Sequence, residues 1–466
     1  MLLQKGLAVK MGAGIDAAAA KPRNDGSLIR VTTYFLQMTL DILVLIASFN
    51  FASFLRFGHL ARGDSRDWIL LLVPVFLLIG FYSNLYTLDS MRSLRLSMKR
   101  LTAAVAWALA IVIFGFFATK STDTVSRLLF FSGALISITF LLLIRIPIYL
   151  LVDRVIGKRF LRKLFIIDGT ASREIEGYDV ITCANLGLKL DLHDPIVLHA
   201  LSGRVKEYDR VLVDCPVEDR EKWSLFLQAA GCIGSLLIPE LRSVVSDHTK
   251  FEIESTSIRV SAGPLDLRSR AVKRIFDLSL ALAICVLIAP LLLAVAIAIK
   301  LDTKGPVLFK QIRMGRGNRL FYVYKFRSMR DDSADMNGMR SASKDDDRIT
   351  RVGRFIRATS IDELPQLFNV LIGNMSMVGP RPHALGSKAG EDLFWQIDVR
   401  YWLRHSAKPG ITGLAQVRGF RGATDTRHDL TERLRYDLEY LRNWSMFRDI
   451  AILMATFGVV MHKNAY

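Results

Sequence analysis

Long runs of apolar residues, separated by short polar stretches, occupy the first third of the chain. Each run is close to the ~20 residues that a helix needs to cross ~30 Å of hydrocarbon. The four runs lie at about residues 34–55, 68–85, 101–119 and 128–152. They predict a four-helix transmembrane domain over residues 31–153. The preceding residues 1–30 are basic and lack the apolar core of a secretory signal, so we predict a flexible cytoplasmic arm.

The pattern changes near residue 160 to that of a small α/β domain, which we place at residues 160–262. Three short apolar runs alternate with polar stretches of helix length, as in an open parallel sheet. These runs lie at residues 164–167, 211–213 and 235–238. The turn after the first run, at residues 168–172, lacks the GxGxxG that brings backbone amides close to a pyrophosphate. We therefore interpret the domain as degenerate and Rossmann-like, with a regulatory or structural role.

A membrane-bound nucleotide-sugar dehydratase would also join four spans to such a domain. It needs an intact glycine-rich loop and a Tyr-x-x-x-Lys pair there, and neither is present.

A fifth apolar run, at residues 278–299, contains Pro290 just past its centre. Proline removes a backbone donor and clashes with the preceding turn, so it predicts a bend or break. Basic residues flank the run on both sides, which favours the same cytoplasmic location for both ends. We predict a re-entrant membrane helix hairpin over residues 270–300, with a proline-kinked span as the alternative.

The composition supports a membrane protein, with 51% hydrophobic residues and a net charge of +18. Basic residues lie beside the apolar runs and in the C-terminal third, where lipid headgroups and phosphates are the expected counter-charges and nucleic acid is not. Their distribution also places the N-terminal arm, the second loop and the segment after the fourth span in the cytoplasm. Asp41 and Arg145 are costly in lipid and indicate positions that face the bundle, positions near an interface or a pathway. The four cysteines form no CxxC pair, so neither a disulfide framework nor a zinc site is expected.

The last domain, residues 301–466, combines many cations with one pair of adjacent acids, Asp362 and Glu363. Neighbouring helical residues point about 100° apart, so the pair is unsuited to share a proton. Two separate roles fit better: one carboxylate attacks phosphorus and the other holds a magnesium ion on a diphosphate. The cations that could bind the phosphates include Lys325, Arg327 and Arg357.

Three blocks of this domain resemble the bacterial sugar transferases, the monotopic phosphoglycosyl transferases. They read KFRSM at 325–329, TSIDELPQLFNVLIGNMSMVGPRP at 359–382 and KPGITGLAQVRG at 408–419. The resemblance covers about residues 273–466 and implies a mainly helical catalytic domain. The four spans and the α/β domain are similar to the long polyprenyl-phosphate hexose-1-phosphate transferase branch, and the C-terminal blocks to its undecaprenyl-phosphate glucose phosphotransferases.

The resemblance implies that Asp362 attacks the sugar-bearing phosphate of UDP-glucose and that undecaprenyl phosphate then takes up the glucose-1-phosphate. It further implies that Glu363 holds Mg²⁺ and that Arg357 and Arg381 bind phosphate, with Lys325 and Arg327 as further candidates. We therefore expect a priming enzyme of exopolysaccharide or capsule synthesis in the bacterial inner membrane, with its catalytic domain in the cytoplasm. The expected partners are the UDP-sugar, the lipid phosphate, membrane lipids and a second copy in a homodimer. UDP-galactose as substrate, or an inactive membrane-anchored scaffold, are the alternatives.

Other residues of this domain are open to two readings. Gln416 and Arg418 lie in a turn-rich loop that either contacts the nucleotide or is structural. His383 and His405 have no partner at metal-ligand spacing and are not expected to be catalytic. The segment at residues 446–461 predicts an amphipathic helix, either on the membrane surface or against a partner subunit.

Overall fold

A computed structural model describes most of the chain. It leaves out residues 1–25, 60–62, 88–89, 92, 119–125, 153, 155–161, 170–174, 188, 244–255, 264, 266, 331–347, 421–423, 425 and 462–466. Most of the predicted N-terminal arm therefore lies outside the described residues. Two compact units can be distinguished, Pro22–Arg162 and Lys163–Tyr466.

The first unit consists of four long helices packed around an apolar core that includes Phe49, Phe76 and Leu101. The helices are α1 (Gly26–Phe57), α2 (Gly63–Tyr82), α3 (Leu94–Ala118) and α4 (Arg127–Leu151). Large apolar side chains such as Phe114 and Leu135 remain exposed on the outside, as lipid-facing residues do. The predicted bundle of four helices is thus observed, with boundaries shifted by up to eight residues.

Asp41 and Arg145 form an ion pair in the interior of this bundle. The Arg145 Nη2 to Asp41 Oδ2 distance is 2.7 Å, and the Tyr86 hydroxyl donates to the same oxygen at 2.9 Å. The two charges thus compensate each other between α1 and α4, which is the usual arrangement of ionisable groups inside a membrane domain.

Within the described residues, four helices are long and apolar enough to cross a membrane. They are Thr32–Phe57, Leu94–Ala118, Arg127–Leu151 and Ser269–Asp302. The described apolar part of α2, Trp68–Tyr82, is shorter than these. The helix that contains the fifth apolar run is therefore long and apolar enough to cross a membrane, whereas the described apolar part of the second predicted span is a shorter helix.

The second unit begins with a five-stranded sheet in the order β2-β1-β3-β4-β5. The first four strands pair in parallel, and β5 is antiparallel to β4, so the predicted parallel sheet is in fact mixed. The strands are β1 (Lys163–Ile167), β2 (Asp179–Thr182), β3 (Arg210–Asp214), β4 (Ile233–Leu237) and β5 (Ser257–Ser261). Between them lie the helices α5 (Cys183–Leu186), α6 (Pro195–Val205) and α7 (Arg220–Ala230).

The helix α8 (Leu267–Asp302) follows the sheet and includes the fifth apolar run. It continues through Pro290, so the proline does not end the helix and the predicted break in the backbone is not observed. A proline removes one backbone hydrogen bond, and the apolar helix formers on either side keep the rest of the helix intact.

The transferase-like region combines helices with short two-stranded sheets and is less purely helical than expected. Its strands are β6 (Leu308–Met314), β7 (Leu320–Phe326), β8 (Ser376–Val378), β9 (Lys388–Ala389), β10 (Asp392–Leu393) and β11 (Gly410–Thr412). Its helices are α9 (Arg351–Ala358), α10 (Gln366–Ile372), α11 (Phe394–Ile397), α12 (Leu414–Val417), α13 (Arg427–Arg442) and α14 (Met446–Met461). A 3-10 helix at Val399–Ser406 connects α11 to β11.

The α/β domain and the transferase-like region share one hydrophobic core. Trp223 of α7 and Trp402 of the 3-10 helix belong to the same buried cluster, and the Trp402 indole donates to Leu192 O at 2.8 Å. The backbone N–H of Leu320 donates to His199 Nδ1 across the same boundary. The α/β domain is therefore part of the packing of the transferase-like region and not a loosely linked module.

Candidate active site

The acidic pair lies on a tight turn between α9 and α10. Ser360, which precedes the pair, has a φ of 57°, a left-handed conformation that is uncommon for residues other than glycine. A single 3-10 turn follows over Ile361–Glu363, and Pro365 then begins the next helix. Asp362 and Glu363 thus project from a short turn and not from the face of a regular helix.

Close packing against the β6–β7 hairpin holds both flanking helices. Asn369 of α10 is fully buried, where its amide accepts from Tyr324 N at 2.9 Å and donates to Tyr322 O at 2.6 Å. A Cβ on Gly353 of α9 would lie 2.0 Å from Ser328 O, so only glycine fits there. The turn that carries the acids is therefore fixed over the end of β7.

Glu363 is held by two cations. Lys325 Nζ of β7 lies 2.8 Å from its Oε1, and Arg381 adds a two-pronged contact at 2.7 Å to Oε1 and 3.2 Å to Oε2. Burial alone would raise the pKa of Glu363, but the Arg381 and Lys325 charges outweigh it and hold that pKa well below the usual value. Glu363 is therefore a permanent anion near neutral pH.

Asp362, its neighbour, is in a different state. Its side chain is partly exposed. Within the described part of the chain, no hydrogen bond or ion pair reaches its carboxylate. Burial raises its pKa above the usual value, and the charges of Lys325, Arg357 and Arg381 oppose the rise. The arrangement gives a carboxylate with free oxygen lone pairs, surrounded by cations that do not bind it directly.

Arg381 is placed by a close crossing of two backbone segments. A Cβ on Gly410 of β11 would lie 2.1 Å from Gly379 N, so the strands approach too closely for a side chain there. Behind the site, Arg404 donates from Nη2 to Arg381 O at 2.7 Å and to Asp437 Oδ2 at 2.6 Å. Arg404 and Asp437 are almost fully buried, so their ion pair fixes the backbone that carries Arg381.

The other predicted site residues fall into two groups. Arg357 is partly exposed at the end of α9 and contributes to the field at Asp362. Arg327, by contrast, is buried and donates to Lys304 O and Thr303 O, so its guanidinium stabilises the chain after α8. Nothing in its described contacts supports a role in phosphate binding.

Gln416 is buried on α12, where its amide nitrogen donates weakly to Ile411 O at 3.4 Å. Arg418 is exposed at the end of the same helix. None of the described hydrogen bonds joins Gln416 or Arg418 to the acidic pair, so their predicted contact with the nucleotide stays a prediction.

The residues that support the site from behind were missed in the sequence. Arg404 also donates to His383 Nδ1 at 2.6 Å, and burial together with Arg404 and Arg433 keeps the pKa of His383 well below its usual value. This leaves His383 a neutral member of a buried network. Arg404 and Asp437 lie in helical stretches that carry other charged residues, Val399–Ser406 and Arg427–Arg442, so the local pattern is that of amphipathic surface helices and does not distinguish them.

The donor set around Glu363 fits a magnesium ion held jointly with substrate. Among the described residues there is no group of three or more His, Cys, Asp or Glu that could form an all-protein metal site. Magnesium often binds one or two carboxylates, with phosphate oxygens and water completing its shell. Glu363 Oε2 accepts only the longer of the Arg381 contacts and so retains lone pairs for such a role.

The sequence profile described as "Bacterial sugar transferase" matches residues 268–463, which include every residue of this site. The exopolysaccharide production protein PSS of Rhizobium leguminosarum bv. phaseoli is 49% identical over 185 residues, 40% of this chain and 92% of that protein. The chain belongs to the bacterial sugar transferase family.

Two other relatives match this bacterial sugar transferase over part of their length. The undecaprenyl-phosphate glucose phosphotransferase of Komagataeibacter xylinus is 50% identical over 204 residues, 44% of this chain and 38% of the relative. The UDP-glucose:undecaprenyl-phosphate glucose-1-phosphate transferase of Escherichia coli (strain K12) is 44% identical over 235 residues, 50% of each chain. The aligned segments therefore span half or less of these two relatives.

Proposed function

We propose that the protein transfers glucose-1-phosphate from UDP-glucose to undecaprenyl phosphate, the priming step of exopolysaccharide or capsule synthesis. The products are undecaprenyl-diphosphate-glucose and UMP. The observation that carries the proposal is the contrast within the acidic pair, in which Asp362 has free oxygens and Glu363 is held by Lys325 and Arg381. The names of the Komagataeibacter xylinus and Escherichia coli relatives support the sugar and the lipid.

In the first step an Asp362 oxygen attacks the phosphorus that carries glucose. The bond from that phosphorus to the bridging oxygen breaks, UMP leaves with the electron pair, and a glucose-phosphoryl aspartate remains. Lys325, Arg357 and Arg381 surround the carboxylate and offset the negative charge that gathers on the phosphoryl oxygens. Asp362 is the nucleophile of the pair because no described hydrogen-bond donor or cation binds its oxygens, whereas Lys325 and Arg381 hold Glu363 in place.

In the second step an oxygen of undecaprenyl phosphate attacks the same phosphorus. The acyl-phosphate bond breaks and Asp362 returns as a carboxylate, so the two steps together conserve charge and atoms. A magnesium ion held by Glu363 would neutralise diphosphate charge and orient the substrate. Lys325 and Arg381 would keep Glu363 ionised and in position while it does so.

The reaction is tested with detergent-solubilised protein, magnesium, undecaprenyl phosphate and either radiolabelled UDP-glucose or UDP-galactose. We expect UMP release and labelled lipid with UDP-glucose, and much less with UDP-galactose. A preference for UDP-galactose would change the assigned sugar. Absence of UMP with both donors would favour the inactive scaffold.

The role of Asp362 is tested without the lipid acceptor. Wild-type protein incubated with glucose-labelled UDP-glucose should retain label that hydroxylamine releases, as expected of an acyl phosphate. Asp362→Asn should retain none and should lose transfer by at least ~10³-fold, because it removes the nucleophile. Glu391→Gln, an exposed acid of the same region, serves as the matched control. Turnover that survives in Asp362→Asn would remove Asp362 from this role.

We further propose that α8 is re-entrant and that its two ends lie on the cytoplasmic side. Near its start, Asp277 accepts from Ser376 Oγ and Met377 N, and near its end, Asp302 accepts from Val352 N. Between these anchors the exposed side chains of the helix are apolar, among them Val286, Leu287 and Leu293. Attachment of both ends to one folded region therefore supports entry and exit on one side.

The C-terminal helix α14 supports the same membrane surface. Asp449 of this helix is buried, where Lys273 Nζ lies 2.5 Å away and the Tyr440 hydroxyl donates at 2.8 Å. The exposed face carries Phe447 and Met454, which are 84% and 71% exposed. These side chains are suited to insertion among lipid acyl chains in the bacterial inner membrane.

Two finer features complete the proposal. The strand order β2-β1-β3-β4 and the absence of a glycine-rich turn support a degenerate Rossmann-like domain without a dinucleotide. The homodimer stays a prediction, which light scattering of the detergent-solubilised protein would test.

A further inference from the structure

The five-stranded sheet of the α/β domain has two different faces. On one face, residues such as Val211 and Leu236 pack with α6 and α7 in the large shared core. On the other face, Phe165, Leu212 and Leu237 form only a small cluster, with Tyr178 at its edge. The second face therefore has space that the described helices do not fill.

A cavity of about 160 Å³ lies on this second face. Arg210 of β3, Ser235 of β4 and Arg259 of β5 line it, together with Tyr178 and Ser257. Arg259 pairs with Ser235 of β4, and Arg210, on the other side of β4, pairs with Ile233, two residues before Ser235. Two strand spacings of about 4.8 Å and an offset of two residues of about 3.3 Å each put the arginine backbones roughly 12 Å apart, a gap that their long side chains can close around a small ligand.

The lining has the chemistry of an oxyanion site. Of the eight described lining residues, two are arginines, three carry hydroxyl groups and none is a carboxylate. Arginine binds phosphate oxygens through paired N–H donors, and hydroxyls add further donors. The cavity is smaller than the ~300 Å³ at the lower end of pockets for drug-sized ligands, so it suits a phosphate or diphosphate group better than a whole dinucleotide.

The location also separates this cavity from the usual nucleotide site of such sheets. Arg210 and Ile233 are the first residues of β3 and β4, so the cavity includes the amino ends of these parallel strands. Dinucleotides bind beyond the carboxyl ends, where this chain has Asp168 bound to the Trp223 indole at 2.7 Å. The cavity is thus not what remains of a lost dinucleotide site.

We propose that the cavity bounded by Arg210, Ser235 and Arg259 is a binding site for a phosphate or diphosphate group. The ligand that carries this group is either an inorganic anion or a nucleotide. The site lies outside the acidic pair and takes no part in the transfer reaction.

The proposal is tested by hydrogen exchange on the full-length protein in detergent, without magnesium. Pyrophosphate and UMP should slow exchange in the strands Ile233–Leu237 and Ser257–Ser261, whereas uridine and an equal ionic strength of chloride should not. Stronger protection by UMP than by pyrophosphate would identify a nucleotide as the ligand, and equal or weaker protection an inorganic anion. Asp362→Asn should show the same protection, because it alters only the catalytic site.

Variants of the two arginines make the test specific. Arg259→Gln and Arg210→Gln should each raise the pyrophosphate concentration that gives half-maximal protection by about tenfold or more, as expected for loss of a charged hydrogen-bond donor. Arg259→Lys should raise it less, and Arg204→Gln, an exposed arginine of α6, should have no effect. All four should retain wild-type rates of UMP release, so failure here is distinguishable from failure of the proposed function. No protection at millimolar pyrophosphate, or protection that survives both Arg→Gln changes, would overturn the site.

Discussion

Two neighbouring carboxylates of the same turn acquire opposite properties from their surroundings. Lys325 and Arg381 bind Glu363 and keep its pKa well below the usual value, whereas burial raises the pKa of Asp362. The difference arises because the side chains leave the turn in different directions and only Glu363 reaches both cations. Opposite pKa shifts in a titratable pair are a physical indication of separate chemical roles.

The paired N–H donors of Arg381 should contribute more to the rate of transfer than its charge alone. Arg381→Lys keeps the cation but removes the fork that fits a carboxylate or a phosphate. We expect transfer to fall by about 10- to 100-fold, corresponding to one charged hydrogen bond. Arg400→Lys is the matched control, since Arg400 forms a similar but exposed pair with Asp398. Equal rates for the two variants in the UMP-release assay would contradict the assignment of Arg381.

Activity at low pH should report the ionisation of Asp362. Attack requires the carboxylate, so the rate should fall as pH decreases through a pKa that burial has raised above the usual value. Lys325 opposes that rise, and Lys325→Gln should therefore move the acid limb of the kcat profile to higher pH. Lys310→Gln, on the neighbouring strand, should leave the limb in place. An unchanged limb in Lys325→Gln would show that another group controls the profile.

At the level of elements, apolar periodicity predicted long helices well. The predicted run at residues 128–152 became α4 (Arg127–Leu151), and the segment 446–461 became α14. Short strands were harder to predict, because β2 has only four residues and forms no distinctive apolar run. The burial of Asp449 could not be predicted, since the sequence does not reveal that Lys273, 176 residues away, supplies its buried partner.

The candidate site shows the same division. The acids were predicted as adjacent carboxylates among many cations, and Arg381 was predicted from the resemblance to the bacterial sugar transferases; the structure brings Arg381 and Glu363 into contact. The sequence does not show which of the two acids contacts the cations, because this depends on contacts between β7, the 3-10 turn and the segment after β8. Arg327 lies in the same motif as Lys325, but it follows the end of β7, and its guanidinium donates to Lys304 O and Thr303 O, contacts that the local sequence does not reveal.

Asp277 attaches α8 to the transferase-like region through buried hydrogen bonds. Its two carboxylate oxygens accept from Ser376 Oγ at 2.8 Å and Met377 N at 3.0 Å, and all three groups are buried. Asp277→Ala leaves both donors unsatisfied and should lower the free energy of unfolding by at least ~2 kcal/mol. The midpoint of thermal unfolding in detergent would measure the loss.

Two companion variants make this result specific to the hydrogen bonds. Asp277→Asn retains an acceptor and should recover part of the stability. Leu287→Ala removes more volume from the same helix but from an 80% exposed position, so it should leave the midpoint unchanged in detergent. A midpoint for Asp277→Ala equal to that of Leu287→Ala would contradict the proposed attachment.

At the scale of the whole molecule, the α/β domain shares a core with the region that carries the candidate site. Trp402 lies on the 3-10 helix Val399–Ser406, which also carries Arg404, and Arg404 holds the backbone of Arg381. Packing of the α/β domain against this helix thus supports the active site from behind. The Rhizobium leguminosarum relative, 92% of which aligns with 40% of this chain, has little room for an equivalent domain.

The topology of α8 decides whether the active site and the lipid phosphate meet on one side of the membrane. In a cysteine-free background, Ile275→Cys and Leu301→Cys place single thiols at exposed positions near the two ends of the helix. Because both ends of α8 are attached to the transferase-like region, both thiols should be cytoplasmic. A membrane-impermeant maleimide should therefore label neither in intact spheroplasts and both after lysis. Thr122→Cys, in the loop that the positive-inside rule assigns to the periplasm, should be labelled in both conditions. Labelling of Leu301→Cys in intact spheroplasts would make α8 a true span and place Asp362 on the side away from cytoplasmic UDP-glucose.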